Sequence, residues 1–212
     1  MKLILILSIP VSLILSNLYI LVTENFVRFN YKLIKYKEID EKWSIVSMIL
    51  KYIKDPYDRS KLDVEMFTDE EITHYREVRS LILGGLKLGL LSTVILVVST
   101  LVLINEKVKF ELLQGYYKVG LIITIGIVIT IGFAALVDFD SAFVRFHQTL
   151  FIKSQWVFPS NSISIRLFPI NFWISVVRTT IFFVLGETMI LLFFVSRAKP
   201  VKEIFNKVFN QL

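Results

Sequence analysis

Four predominantly apolar stretches, each about as long as a bilayer core is thick, constrain this chain more than any other feature. They occupy residues 3–22, 81–104, 119–137 and 172–195, and at ~1.5 Å of rise per residue about 20 helical residues cross a membrane. A lipid interior offers no partner for a free N–H or C=O, so stretches of this length cross as helices. The expected fold is mainly α, a polytopic membrane protein with four transmembrane helices in one membrane domain over residues 1–212. Composition agrees: 55% of residues are hydrophobic and 20% charged, a balance unlike that of a soluble domain. The first stretch carries Pro10 and runs on through Leu18, Tyr19, Ile20 and Leu21 without a small-residue cleavage site, so it is expected to be a retained helix rather than a signal peptide.

Charge sets the orientation. Lys107, Lys109 and Lys118 lie between the second and third spans, and Arg197, Lys199, Lys202 and Lys207 follow the fourth, so these segments are expected in the cytoplasm together with both termini. The first loop, residues 23–80, holds 11 Lys or Arg against 12 Asp or Glu and is long enough to be translocated whatever its charge. With the third loop, residues 138–171, which carries Arg145, Lys153 and Arg166, it is expected to form an extracytoplasmic cap. The net charge of +6 is explained by orientation and by anionic headgroups, and no nucleic-acid motif accompanies it. The chain has no cysteine, which excludes a disulfide framework, a thiolate metal site and a cysteine nucleophile.

The first loop exceeds the usual length of a connection and should carry its own structure. Trp43, Val46, Ile49, Leu50 and Ile53 recur at helical spacing with Lys42, Lys51 and Lys54 between them, an amphipathic helix lying on the membrane or the bundle and ended by Asp55, Pro56 and Tyr57. Thr68, with Glu71 three residues later, predicts a capping box opening a helix that runs through His74 into the second span.

Chemistry is expected at the chain's two histidines, His74 and His147, which this topology places on one face at the mouths of spans. Glu71 lies nearly one turn before His74 and Glu77 three residues after it, where a carboxylate orients an imidazole and raises its basicity; Asp140 stands two turns before His147 if that segment is helical. A shared site requires the imidazoles to lie within about 10 Å of one another. The blander reading, two ordinary surface histidines in charged helices, weakens because both fall in apposed loops. His74 and Glu77 have metal-ligand spacing, with His147 and Asp140 as further donors, but no standard ligand run is present, so no metal and no cofactor are expected. No serine sits in a glycine-flanked nucleophile elbow. Phe143, Phe146, Phe151, Trp156, Phe158, Phe168, Phe172 and Trp173 crowd the third loop and its exit. An interfacial aromatic belt accounts for such density, and beside a histidine it also suits an acyl-chain pocket. Lys87 and Arg178 lie near span ends, where they reach headgroups, whereas Glu187 sits mid-span and must be protonated or paired.

Two separated motifs then carry a resemblance. Phe67-Thr68-x-x-Glu71-x-x-His74-x-x-Glu77-Val78-Arg79 and Phe139-Asp140-x-x-Phe143-x-x-Phe146-His147-x-x-x-Phe151 are followed by Trp156-x-Phe158-Pro159 and Leu167-Phe168-Pro169-x-x-Phe172-Trp173. In order and spacing, over roughly two thirds of the chain, this resembles the bacterial lipoprotein intramolecular transacylase family. It departs at Ser162 and Ile170, where acidic residues are expected, and at Glu77, where Asp is expected.

The resemblance implies a multi-pass enzyme of the bacterial cytoplasmic membrane with its active site on the extracytoplasmic face. Its substrates would be diacylglyceryl lipoproteins within membrane lipid. It would move the sn-2 acyl chain of diacylglyceryl-cysteine to the α-amine of the same N-terminal cysteine, leaving a lyso-form lipoprotein. His74 and His147 are the implied catalytic pair, with Glu71, Glu77 and Asp140 supporting them and the eight aromatics with Arg178 binding substrate. The alternative is a non-catalytic membrane protein for lipid binding or assembly, which needs only the aromatic loop and the basic rim.

Overall fold

The computed structural model describes residues 1–36, 39–57, 62, 66–151 and 156–200; Lys153, Lys202 and Lys207, which enter the charge argument, lie outside them. The described elements are helical: α1 (Lys2–Ser16), α2 (Leu18–Leu21), α3 (Glu24–Leu33), α4 (Ile39–Lys54), α5 (Asp69–Asn105), α6 (Phe110–Val137), α7 (Phe139–Leu150), α8 (Ile163–Leu167) and α9 (Ile170–Arg197). Four helical segments are long and apolar enough to cross a membrane: Lys2–Leu21, Asp69–Asn105, Phe110–Val137 and Ile170–Arg197. The chain is thus a four-span helical membrane protein. The predominantly apolar part of α5 is residues 81–104, with Lys87 its one charge; its charged first three turns, residues 69–80, precede the span.

The first span lies at the heart of the bundle, against both α5 and α6. Lipid tails are as apolar as leucine, so helices in a bilayer associate through close packing and polar contacts rather than by escaping water. Small residues supply both here. A β-carbon on Gly89 would stand 3.3 Å from the Leu15 carbonyl carbon, and Ser92 donates to the Ser8 carbonyl at 3.0 Å. Pro10 removes the donor for the Ile6 carbonyl, and that oxygen lies against Gly120, where an added β-carbon would come to 2.9 Å. The span breaks at Asn17, whose amide donates to the Leu13 carbonyl at 2.9 Å and across the bundle to the Glu187 carboxylate at 3.0 Å.

The helical path then continues up the flank of α9 instead of turning into a loop. Phe26 of α3 packs beside Phe183 at 6.2 Å, Asn30 accepts from Ser175 (2.7 Å) and Thr179 (3.0 Å), and Tyr31 stacks on Phe172 at 4.5 Å. Thr23 caps α3 by accepting from Phe26 N. The helix α4 packs on the head of α5, so of its two expected resting places it takes the bundle. Val46, Ile49, Leu50 and Ile53 are buried with Ile72, Tyr75, Leu167 and Phe172 in one core at the end of the bundle where the first and third loops meet. This core resembles a soluble protein's, where each such aliphatic contributes ~1.5–3 kcal/mol. The two loops therefore share one packed layer.

Candidate active site

His74 is placed by a rigid helix start. Thr68 Oγ1 accepts from Glu71 N and Glu71 Oε2 accepts from Thr68 N at 2.9 Å, closing the expected capping box. His147 reaches the same place from the other direction. Asp138 ends α6 and caps α7, accepting from Ser141 N at 3.0 Å, and α7 carries His147 back over the bundle. The imidazoles stack with their centroids 6.1 Å apart. They are walled by rings: Phe151 lies 4.6 Å from His74 and 5.3 Å from His147, Phe158 stands edge-on to His74 at 5.6 Å, and Phe143, Phe146 and Trp156 lie 4.1, 5.3 and 4.9 Å from His147.

Electrostatics keeps both rings neutral. His147 Nδ1 stands 2.8 Å from the Phe143 carbonyl; a carbonyl only accepts, so Nδ1 carries the proton and Nε2 the lone pair. Burial depresses the His147 pKa, opposed by that hydrogen bond. Burial lowers the His74 pKa further, to about 4, helped by the neighbouring His147 and opposed by the Glu77 carboxylate. His74 Nδ1 is buried without a hydrogen-bond partner among the described residues. Among the described residues no group of three or more His, Asp and Glu side chains stands together as a metal site.

The other expected site residues divide. Glu71 is almost wholly buried and gives both oxygens to backbone donors, Thr68 N and Ser164 N (3.0 Å), so its carboxylate secures α8 and not the imidazole. Glu77 acts on His74 through its charge. Asp140 is exposed in the first turn of α7, and among the described residues no hydrogen bond joins it to His147. Trp173 meets the cluster through Phe143 at 6.3 Å, whereas Phe168 and Phe172 stack on Tyr31 at 6.5 and 4.5 Å and belong to the packed core. Arg178 is exposed on α9, and among the described residues no hydrogen bond or cation–π contact joins it to the cluster. Sequence reasoning missed the supports of α8. Tyr31 donates to the Leu167 carbonyl (2.7 Å), Tyr36 to the Arg166 carbonyl (2.6 Å), and Tyr75 to Ser164 Oγ (3.0 Å). Ser162 was the one legible signal: it caps α8 by accepting from Ile165 N, a task an aspartate does equally well.

The sequence model described as Lipoprotein intramolecular transacylase Lit matches residues 2–173. The chain belongs to this transacylase family. Among solved structures it is similar to the membrane-integral lipoprotein intramolecular transacylase Lit from Bacillus cereus, with 20% identity, a TM-score of 0.79 and 92% of each chain covered. Two forms of that protein with one histidine replaced, by arginine and by alanine, match at 19% identity with TM-scores of 0.74 and 0.75, covering 92% of this chain and 90% of theirs. Comparison with curated proteins gives no significant match. As a Lit family member the chain is a multi-pass membrane acyltransferase, a transacylase of lipoproteins.

Proposed function

We propose that His74 and His147 carry an O-to-N acyl transfer within one diacylglyceryl-cysteine, at the extracytoplasmic face of the bacterial cytoplasmic membrane. The face follows from the positive-inside distribution of Lys107, Lys109, Lys118 and Arg197 at the opposite end of the bundle. The observation that carries the assignment is the imidazole pair, 6.1 Å apart, with His147 Nδ1 committed to a carbonyl and its Nε2 without a hydrogen-bond partner among the described residues.

The substrate's α-amine, with a reference pKa of about 8, attacks the sn-2 ester carbonyl as the free base. The new C–N bond forms while His147 Nε2 takes one N–H proton. His74, neutral and donating through Nε2, stabilises the oxyanion. Collapse breaks the bond from carbonyl carbon to glyceryl oxygen, and the proton on His147 passes to that oxygen, which leaves as a hydroxyl. Product and substrate are isomers, so no donor or cofactor is consumed. Attack closes a medium-sized ring through Cα, Cβ, sulfur and the glyceryl carbons. The rings of Phe143, Phe146, Phe151, Trp156 and Phe158 confine that loop, and this lowers the entropic cost of closing it.

Mass spectrometry of a diacylglyceryl reporter lipoprotein incubated with the protein tests the reading. Unchanged mass with one acyl chain moved from ester to amide is expected. Loss of a fatty acid would indicate hydrolysis, and an unaltered substrate would favour the lipid-binding alternative. The absence of cysteine also permits clean single-site labelling: Ser160→Cys should react with an impermeant thiol reagent in intact cells and Glu106→Cys should not. The reverse pattern would put the site on the cytoplasmic face.

A further inference from the structure

A helix of five residues has no stability of its own, because a single turn does not repay the cost of nucleation. Yet α8 is held at both ends by side chains from other elements. Its C-terminal carbonyls, Arg166 and Leu167, accept from Tyr36 and Tyr31, and at its N-terminus Ser164 N donates to Glu71 Oε1. The N-terminal contact matters for the site because of what lies on either side of it. On one side Glu71 is three residues from His74 on α5. On the other, Ser162 N closes a turn onto the Pro159 carbonyl at 2.9 Å, and directly before that turn come Phe158 and Trp156, the rings set against His74 and His147. A carboxylate that is 1% exposed with a backbone donor on each oxygen is a costly arrangement if all it did were cap α5, since Thr68 already supplies that cap.

We propose that Glu71 is a positioning residue for the transfer: its carboxylate ties the turn of α5 that bears His74 to the N-terminus of α8, and so holds Trp156 and Phe158 over the two imidazoles. This rests on the reading of His74 and His147 as the catalytic pair. The carboxylate suits the place, since the N-terminus of a helix attracts negative charge and both donors need a lone pair. Glu71→Gln keeps the volume but presents an N–H to one of two N–H groups. Glu71→Asp keeps the charge at the start of α5 but is one methylene too short to reach α8. Thr68→Ala weakens the cap of α5 and leaves the carboxylate.

The test uses the full chain in lipid with a diacylglyceryl reporter, and in parallel a form whose only tryptophan is Trp156 (Trp43→Phe, Trp173→Phe). Displacements of about 1 Å in a positioned site cost up to roughly a hundredfold in rate. Glu71→Gln and Glu71→Asp should therefore lower kcat about tenfold to a hundredfold in protein that stays monodisperse, while Thr68→Ala keeps kcat within about twofold. Acrylamide should quench Trp156 more strongly in both Glu71 variants than in their parent, and not in Thr68→Ala. Equal rate losses in all three variants, or unchanged Trp156 quenching in the Glu71 variants, would overturn the proposal and leave Glu71 as a helix cap. Stronger Trp156 quenching in a protein whose unsubstituted form transfers no acyl chain would instead sustain the tie from Glu71 to α8 and sink the catalytic reading.

Discussion

The two histidine-bearing segments are built in opposite ways. His74 rides on the head of α5, where a capping box, the buried Ile72 and Tyr75, the packed face of α4 and the tie to α8 fix the backbone on every side. His147 rides on α7, which buries none of its residues and is held by its Asp138 cap at one end and by ring contacts of Phe143, His147 and Phe151. One imidazole is thus set by the scaffold, and the other by a strap whose hold is largely the site itself. His147, the proton acceptor in the proposed mechanism, is the less firmly seated of the pair, so on that proposal the geometry of transfer depends more on local order in α7 than on the stability of the fold.

The largest effect expected is loss of the histidines themselves. His74→Ala and His147→Ala should each lower transfer by roughly 10²- to 10⁴-fold, the usual range for general acid–base groups. If the contrast holds, His147→Ala leaves the melting temperature nearly unchanged and His74→Ala lowers it measurably; equal shifts in both would break it. Near-normal transfer in either variant would remove that residue from the chemistry.

A smaller and sharper effect separates the two caps. Thr68→Ala should cost the fold about 0.5–2 kcal/mol, the usual worth of an N-cap, with little change in rate. Asp138→Ala should do the reverse, fraying α7 and slowing transfer several-fold while global stability hardly moves. Hydrogen exchange reads the same difference directly, with α7 amides exchanging faster than those of residues 72–80. Matching protection in the two segments would contradict the strap.

The smallest effect is on protonation. His74 in the folded protein has its pKa lowered to about 4, whereas an unfolded histidine titrates near 6.5. Its neutral form therefore favours folding fully above about pH 6.5, and that contribution is lost as pH falls towards 4. Glu77→Gln removes the charge that holds the His74 pKa up, so titration of its imidazole by NMR should move lower still. An upward shift would show that Glu77 acts on His74 otherwise than by its charge.

How much of this was legible depended on how far apart in sequence the partners lie. The capping box at Thr68 and Glu71, the α4 face of Val46, Ile49, Leu50 and Ile53, and the uninterrupted run of α5 into its span are local patterns, and all appear as expected. Topology placed His74 and His147 on one face, and the family resemblance made them a pair. What stayed hidden is long-range. The second oxygen of Glu71 finds Ser164, Phe168 and Phe172 turn to Tyr31 instead of the imidazoles, and α3 continues along α9 where a loop was expected to begin at residue 23. None of these leaves a periodicity. Tyr31 and Asn30 look like any polar pair in a short amphipathic helix until α9 is beside them.

The hydrogen bond between Asn17 and Glu187 bears on the order in which the protein is assembled. A carboxyl group in the middle of the last span enters lipid without water to solvate it, which leaves α9 in want of a partner from the moment it inserts. Asn17, carried by an earlier span, is by then already in the membrane. The same holds one level up, where Ser175 and Thr179 of α9 complete the buried Asn30. Docking of α9 thus closes two polar contacts that the earlier helices hold open, and a chain halted before its last span leaves Asn30 Oδ1 without the Ser175 and Thr179 donors.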